Sequence, residues 1–399
     1  MKKIAIIAQG FGGSTTSLIE SFLHQGYSVD FYNIGDRRNI TGSYETFDLP
    51  TKYTIGTINR VKSMNQNGLK RFSTYFGIKQ FTMFQFICIG INLHNKLRYI
   101  INPISKLFLS RLIKVINNNQ YDFINVIGQT PETTYLSIKL KKNRKNLVHS
   151  IHEVCKNHLV GNELNENVMC LIKNNIQLNV FSQKSADDLI RLSNNILPQY
   201  SIIPFSLFTG YQEFENIEIT ELLNTDDFIL FFGFIQPYKG LTNLYNAIQL
   251  LKERGFHKKV VIAGKGYDLC LNSIKNDHNF IIINRWIGNN EVATLLRKCH
   301  VVVCPYLSSS QTGITQTVFN FDKPIIATKV PAFTNTIQHK KTGLLVDIND
   351  VTQLADAINL IYTDISLYRQ LCKGVATIRK RATQEWTNIA NMYIMKYIS

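Results

Sequence analysis

Short apolar runs alternate along the chain with stretches in which apolar positions recur every three or four residues. That rhythm predicts parallel strands covered by helices. In the first half, Lys2–Gln9 predicts a strand, Gly10–Gly13 a turn, Ser14–His24 a helix and Ser28–Ile34 a second strand. Tyr121–Gly128, Asn146–Val154 and Gln177–Gln183 continue the series; a helix over Ser182–Leu192 and the strand Ser201–Phe205 end it. Leu207–Asp227 is acidic and has no clean period, so the domain edge is placed near Pro204. A second series follows. It runs through Phe228–Gly233, a helix over Leu241–Arg254, Lys259–Gly264, Asn279–Asn284, a helix over Asn290–Lys298, Val301–Pro305, a helix from Gly313, Lys323–Thr328 and Gly343–Asp347. Positions 241, 244, 247, 248 and 251 share one helical face. The fold class expected is α/β with two doubly wound, Rossmann-like halves.

At 399 residues the chain suits two such domains. It has no long uninterrupted apolar stretch, and its start lacks both the apolar core and the cleavage site of a signal peptide, so Met1 is read as leading into a first strand. Seven scattered cysteines without a C-x-x-C pair suggest neither a disulfide framework nor a zinc site, which fits a cytoplasmic setting. Charge is uneven. Residues 1–200 carry 24 Lys and Arg against 12 Asp and Glu, whereas residues 201–399 carry 20 against 16. Between Asp48 and Asp122 there is no acidic residue, while Lys52, Arg60, Lys62, Lys70, Arg71, Lys79, Lys96, Arg98, Lys106, Arg111 and Lys114 are interleaved with rings such as Phe72, Phe81, Phe86 and Phe108. Such a segment, about 52–114, can lie on anionic lipid, each basic group contributing about 1 kcal/mol. The competing reading is a solvated face of ordinary helices. No nucleic-acid module accompanies the charge, so no nucleic-acid partner is expected.

Candidate chemistry concentrates in two stretches, Phe228–Gly240 and Val301–Ala327. Each is a buried strand running into a polar, glycine-containing loop that opens a helix, an arrangement that aims backbone N–H groups at one spot and suits a phosphate. The first adds Lys239 beside Gly240; the second adds Ser308, Ser309, Ser310 and Thr312 around Gly313. A nicotinamide-dependent dehydrogenase fits poorly, because the third glycine of that fingerprint is Thr15.

The ordered segments Gly233–Gly240 (GFIQPYKG), Val261–Gly266 (VIAGKG), Glu291–Leu296 (EVATLL), Val301–Tyr306 (VVVCPY), Ser310–Gln316 (SQTGITQ), Lys323–Thr328 (KPIIAT) and Lys341–Val346 (KTGLLV) resemble the C-terminal domain of family 4, group 1 glycosyltransferases. The N-terminal half is similar in outline only, through its Gly-rich first turn, Ser150–Glu153, Val180–Ser185 and Ile202–Phe205. Trp386 resembles the family's terminal tryptophan. The resemblance implies two Rossmann-like domains facing each other across a cleft (the GT-B fold), with an acceptor-side domain over 1–204, a donor-binding domain over 205–381 and a terminal helix over 382–399 that crosses back. It implies a nucleoside-diphosphate sugar as donor, no cofactor, no metal, and retention of configuration, with transfer to a hydroxyl of a lipid-linked or growing saccharide in cell-surface polysaccharide synthesis at the inner membrane face.

Residue by residue, the resemblance puts Lys239 on the donor diphosphate and His152 at the reacting face as the two catalytic positions. Gly12, Gly13, Gly233, Gln236, Gly264, Ile287, Gln311, Thr312, Gly313, Ile314 and Thr317 become donor-binding positions. His149 competes with His152, and Glu153 either holds the acceptor or caps a helix. The chain also departs from the pattern. Ser309 and Thr317 stand where many relatives have two glutamates, one of them on the ribose, and Phe234 or Gln236 stands where relatives often have an arginine. A catalytically weak or inactive, membrane-associated homologue acting as a partner or scaffold is the alternative.

Overall fold

The computed structural model describes residues 1–36, 55–64, 70–75, 80–88, 103–142, 146–155, 163–214, 226–309 and 312–398. The chain divides into two compact units: Met1–Ser206 with Thr383–Ser399, and Leu207–Ala382.

Among the described residues, unit 1 is built on an eight-stranded sheet. Its strands are β1 (Lys3–Ala8), β2 (Ser28–Asp36), β3 (Ile58–Arg60), β4 (Phe81–Cys88), β5 (Phe123–Ile127), β6 (Leu147–Ser150), β7 (Leu178–Val180) and β8 (Tyr200–Ile202), in the order β3-β4-β2-β1-β5-β6-β7-β8. Only β3 pairs antiparallel, with Ile58 opposite Phe86. β1 shows why these strands read as unbroken apolar runs. Ile4, Ile6 and Ala8 enter one core and Ala5 and Ile7 the other, so both faces need apolar side chains. The first core is covered by the helix Gly12–His24 through Leu18, Ile19, Phe22 and Leu23. The second is covered by Pro103–Asn118, Pro131–Lys141, Glu166–Lys173 and Gln183–Leu192.

β3 and β4 were not expected, and they change the reading of the basic segment. Phe72, Phe81 and Phe86 are fully buried core residues rather than rings available to lipid. Arg71 is ion-paired with Glu20. Lys52, Lys79, Lys96 and Arg98 lie outside the described residues. Among the described residues, no helix is long and apolar enough to cross a membrane.

The last helix, Ile365–Tyr397, serves both units. Leu371 and Val375 pack in unit 2, while Trp386, Ile389, Ala390, Tyr393 and Tyr397 complete the first core of unit 1. Polar ties reinforce the second attachment. Ser21 Oγ donates to the Trp386 carbonyl at 2.7 Å, Asn179 Nδ2 to Tyr393 Oη at 3.1 Å, and Lys2 Nζ to the Ile398 carbonyl at 2.7 Å. Truncating Trp386 to alanine should therefore cost unit 1 about 3–5 kcal/mol. Urea denaturation followed by far-UV circular dichroism measures this, and an unchanged curve would show that the terminal segment does not close that core.

Among the described residues, unit 2 has six parallel strands: β9 (Ile229–Phe232), β10 (Val260–Ala263), β11 (Phe280–Ile283), β12 (Val301–Cys304), β13 (Ile325–Thr328) and β14 (Gly343–Val346), in the order β11-β10-β9-β12-β13-β14. Leu241, Leu244, Ala247, Ile248 and Leu251, the face expected of the helix Leu241–Glu253, are all buried against one side. Leu295 and Leu296 of the helix Asn289–Lys298 lie in the core on the other side. Among the parallel strands of each sheet the order reverses between β1 and β5 and between β9 and β12. Ligands of open α/β sheets bind outside the carboxyl ends of the strands at such points.

Candidate functional site

The loops leaving β9 and β12 meet at the switch point of unit 2. The β9 loop turns at Gly233 (φ 103°), makes one 3-10 turn over Pro237–Lys239 and enters the next helix through Gly240 (φ 70°). Its partner presses against it so closely that a Cβ at position 240 would lie 1.9 Å from the Pro305 carbonyl oxygen. The Leu307 amide donates to the Tyr238 carbonyl at 2.7 Å. Between these loops lies Lys239, 8% exposed. Its Nζ donates to Tyr306 Oη at 3.0 Å, sits 4.9 Å from the centre of that ring, and lies 3.2 Å from where a Cβ on Gly233 would be. Ile314 Cδ1 is 3.9 Å from the same Gly233 point.

Among the described residues no carboxylate forms an ion pair with Lys239. Burial pulls its ammonium down to about 8, opposed by the neighbouring Cys304 thiol. A buried cation with one neutral partner is costly for the fold. An anion delivered there would restore the charged form.

The other expected positions of unit 2 divide by what they touch. Gly264 (φ 155°) is a close-approach glycine, since a Cβ there would meet the Gly233 carbonyl oxygen at 1.8 Å. It shapes the Lys239 loop from behind. Gln236 is exposed, and its carbonyl accepts from the Lys239 amide at 2.9 Å. Ile287 is half-buried and packs against the core of unit 2. Thr312 Oγ1 accepts from the Ile314 amide at 3.3 Å. Gly313 leaves room for the Phe208 ring, whose Cε2 would be 2.9 Å from an added Cβ. Thr317 is buried, and its hydroxyl donates back to the Gly313 carbonyl at 3.0 Å. Ser309 is buried as well. Gln311 lies outside the described residues.

Unit 1 has its own constellation at the carboxyl edge of its sheet. Gly12 and Gly13 are the first residues of the helix rather than part of a preceding turn, because Phe11 takes the left-handed conformation (φ 60°) that starts the helix two residues early. Their carbonyls accept from Thr16 Oγ1 at 2.7 Å and Ser17 Oγ at 2.9 Å. The Phe11 ring stacks on His152 at 3.7 Å and 5°. Phe181 covers His152 at 4.5 Å. Burial drives the imidazole down to about 3, and its Nε2 has no hydrogen-bond partner among the described residues. The ring is therefore neutral: it can exchange a hydrogen bond, but it cannot balance charge. His149 is fully occupied, with Ser137 Oγ at 2.7 Å from Nδ1 and the Gly128 carbonyl at 2.7 Å from Nε2. Glu153 is exposed, and its amide donates to Gln129 Oε1 at 2.8 Å. Phe11 and Tyr306 were missed in the sequence, where a ring between glycines and a tyrosine after a Cys-Pro pair carry little signal.

Residues 226–364 match the model of the family described as glycosyl transferases group 1. The chain is 28% identical over 160 residues to an uncharacterized glycosyltransferase of Methanocaldococcus jannaschii, covering 40% of this chain and 45% of the relative. It is 27% identical over 177 residues to a D-inositol 3-phosphate glycosyltransferase of Pseudarthrobacter chlorophenolicus, covering 42% of each. The chain thus spans about half the length of the curated relatives it matches. Fold similarity extends further. Sucrose-phosphate synthase from Thermosynechococcus elongatus superposes with a TM-score of 0.66 at 15% identity, over 100% of this chain and 98% of that one. Anabaena HepE in complex with UDP and glucose gives 0.62 at 13%, over 99% of both. These likenesses place the chain in the GT-B fold.

Proposed function

We propose that the protein transfers a sugar from a nucleoside-diphosphate donor to a hydroxyl of a saccharide or lipid-linked acceptor, with retention of configuration. The observation that carries this reading is the buried Lys239, which has no carboxylate partner among the described residues, at the point where the sheet order reverses. When the glycosidic bond breaks, negative charge develops on the leaving diphosphate, and an ammonium already fixed in a water-poor site stabilises that charge without reorganising. The reading needs no metal ion. The neutral His152 fits as a hydrogen-bonding group toward a substrate hydroxyl, and retention would follow if the departing phosphate oxygen accepts the proton of the incoming hydroxyl. The fold similarity to sucrose-phosphate synthase and to HepE in complex with UDP and glucose is compatible with such a donor.

Incubation with a panel of nucleoside-diphosphate sugars, in buffer with and without EDTA, should release nucleoside diphosphate at equal rates in the two buffers. Ser309 and Thr317, in place of carboxylates, favour the second reading, a non-catalytic homologue. Absence of both turnover and calorimetric donor binding would select it.

The setting we infer is cell-surface polysaccharide synthesis, with the protein peripheral at an inner membrane face. Its support is the outer side of the helix Pro103–Asn118, where exposed Ile104 and Leu107 lie among exposed Lys106, Arg111 and Lys114. That helix contains no acidic residue. Vesicle sedimentation should show binding to anionic but not zwitterionic lipid, weakening with salt; equal binding to both would remove the membrane from the reading.

A further inference from the structure

Tyr306, just beyond the end of β12, is buried and pinned along its length. Its carbonyl accepts from Thr328 Oγ1 at 2.6 Å, which ties it to β13. Its ring meets Phe333 at 5.0 Å and 64°, and Tyr238 edge-on at 6.0 Å and 82°. With backbone and ring fixed in this way, the position of the hydroxyl is fixed as well. That oxygen accepts from Lys239 Nζ at 3.0 Å and also hydrogen-bonds the side chain of Thr312. An ammonium can only donate, so the phenol keeps its own proton for Thr312 and leaves a lone pair facing the lysine. Thr312 is held in turn, because its Oγ1 also accepts from the Ile314 amide at 3.3 Å.

A lysine carries a point charge on a flexible stem, and without a carboxylate beside it there is no opposite charge to aim it. The other titratable groups around this one give no direction either. Tyr238, whose ring centre is 6.0 Å from Nζ, and the Cys304 thiol, which burial pushes up to about 12, are neutral at pH 7. Tyr306 supplies the direction. It takes one N–H of the ammonium and leaves the others for a ligand. The nitrogen then lies 3.2 Å from where a Cβ on Gly233 would be, in the space that the missing side chain leaves, and Ile314 Cδ1 borders the same space. We propose that Tyr306 is a positioning residue whose hydroxyl, oriented by Thr312, holds the Lys239 ammonium beside Gly233, where an incoming diphosphate meets it. The proposal rests on Lys239 as the diphosphate group. Tyr306 does not touch the ligand; its effect passes through the lysine.

Tyr306→Phe keeps the packing of the ring and removes only the hydroxyl. Inorganic pyrophosphate, which carries the charge without a base or a sugar, is the calorimetric probe for wild type, Tyr306→Phe, Lys239→Met and the double variant, each at pH 6 and pH 8. Tyr306→Phe should weaken binding about ten-fold at pH 8. The loss should be smaller at pH 6, because an ammonium deprived of a hydrogen bond releases its proton more easily, and comparing proteins at one pH cancels the titration of the ligand. In the Lys239→Met background the second substitution should change nothing, since the group it acts through is already gone. Loss by the same factor in both backgrounds, or at both pH values, would make the hydroxyl a part of the fold alone and overturn the proposal. Binding that is lost in Lys239→Met and unaffected by Tyr306→Phe also overturns it, and leaves the diphosphate site standing. Pyrophosphate binding indifferent to Lys239→Met would remove the diphosphate site, and the role of Tyr306 with it.

Discussion

Replacing Lys239 with methionine is expected to lower turnover at least about 100-fold while stabilising unit 2 by up to about 3 kcal/mol at neutral pH. The two effects have one cause. Burial lowers the folded-state value of the ammonium from 10.5 to about 8, so folding without an anion must place a charge where it is poorly solvated. Methionine keeps most of the stem and removes the charge. The pH dependence fixes the sign. Between about 8 and 10.5 the unfolded chain holds a proton that the folded chain has released, so wild-type stability should rise with pH across that window. The gain should be absent from the variant. Donor affinity should move the other way, flat below about 8 and falling as the ammonium deprotonates, because the diphosphate needs the charged form. Thermal unfolding from pH 7 to 10.5, with and without UDP, separates the two trends. A variant that is both active and no more stable than wild type would sink the assignment of Lys239 as an anion receptor held at the fold's expense.

How much of this was readable in the chain depends on the range of the interactions involved. The six strands of unit 2 and the buried face of Leu241–Glu253 follow from apolar runs and helical spacing, which are local. Phe81–Cys88 was hidden because its apolar residues sit in a segment whose basic charge suggested a surface; only pairing with β2, residue for residue from Val29 to Asp36, makes it an inner strand. The same holds for the sites. Lys239 could be singled out by its place beside Gly240, but its burial depends on Tyr306, which is 67 positions away. His149 and His152 could not be ranked from two positions on one short segment. Ser137 and the Gly128 carbonyl, which occupy both nitrogens of His149, belong to other elements. Phe11 is legible only as a ring between glycines, and its left-handed backbone makes sense once its stacking on His152 is seen.

Gly240→Ala should destabilise unit 2 by at least about 3 kcal/mol and reduce donor binding in whatever fraction remains folded. Gly255→Ala should cost only about 1–2 kcal/mol. The two glycines have similar backbones, φ 70° and 83°, so each substitution carries the ordinary penalty of a left-handed L-residue. They differ in their surroundings. A Cβ at 255 meets nothing within 4 Å, whereas one at 240 would sit 1.9 Å from the Pro305 carbonyl oxygen and force apart the loops that enclose Lys239. Backbone cannot yield as the end of a flexible side chain does, so relief must come from moving Pro305, and Tyr306 moves with it. That shift exposes the Lys239 ammonium to water, and its titration should return toward the ordinary lysine range. The difference between the two variants in denaturant midpoint isolates the contact between the loops, and the ratio of their UDP affinities reports what it does for the site. Equal midpoints for the two variants would mean that the loops leaving β9 and β12 do not brace one another, and the enclosed cation would lose its physical basis.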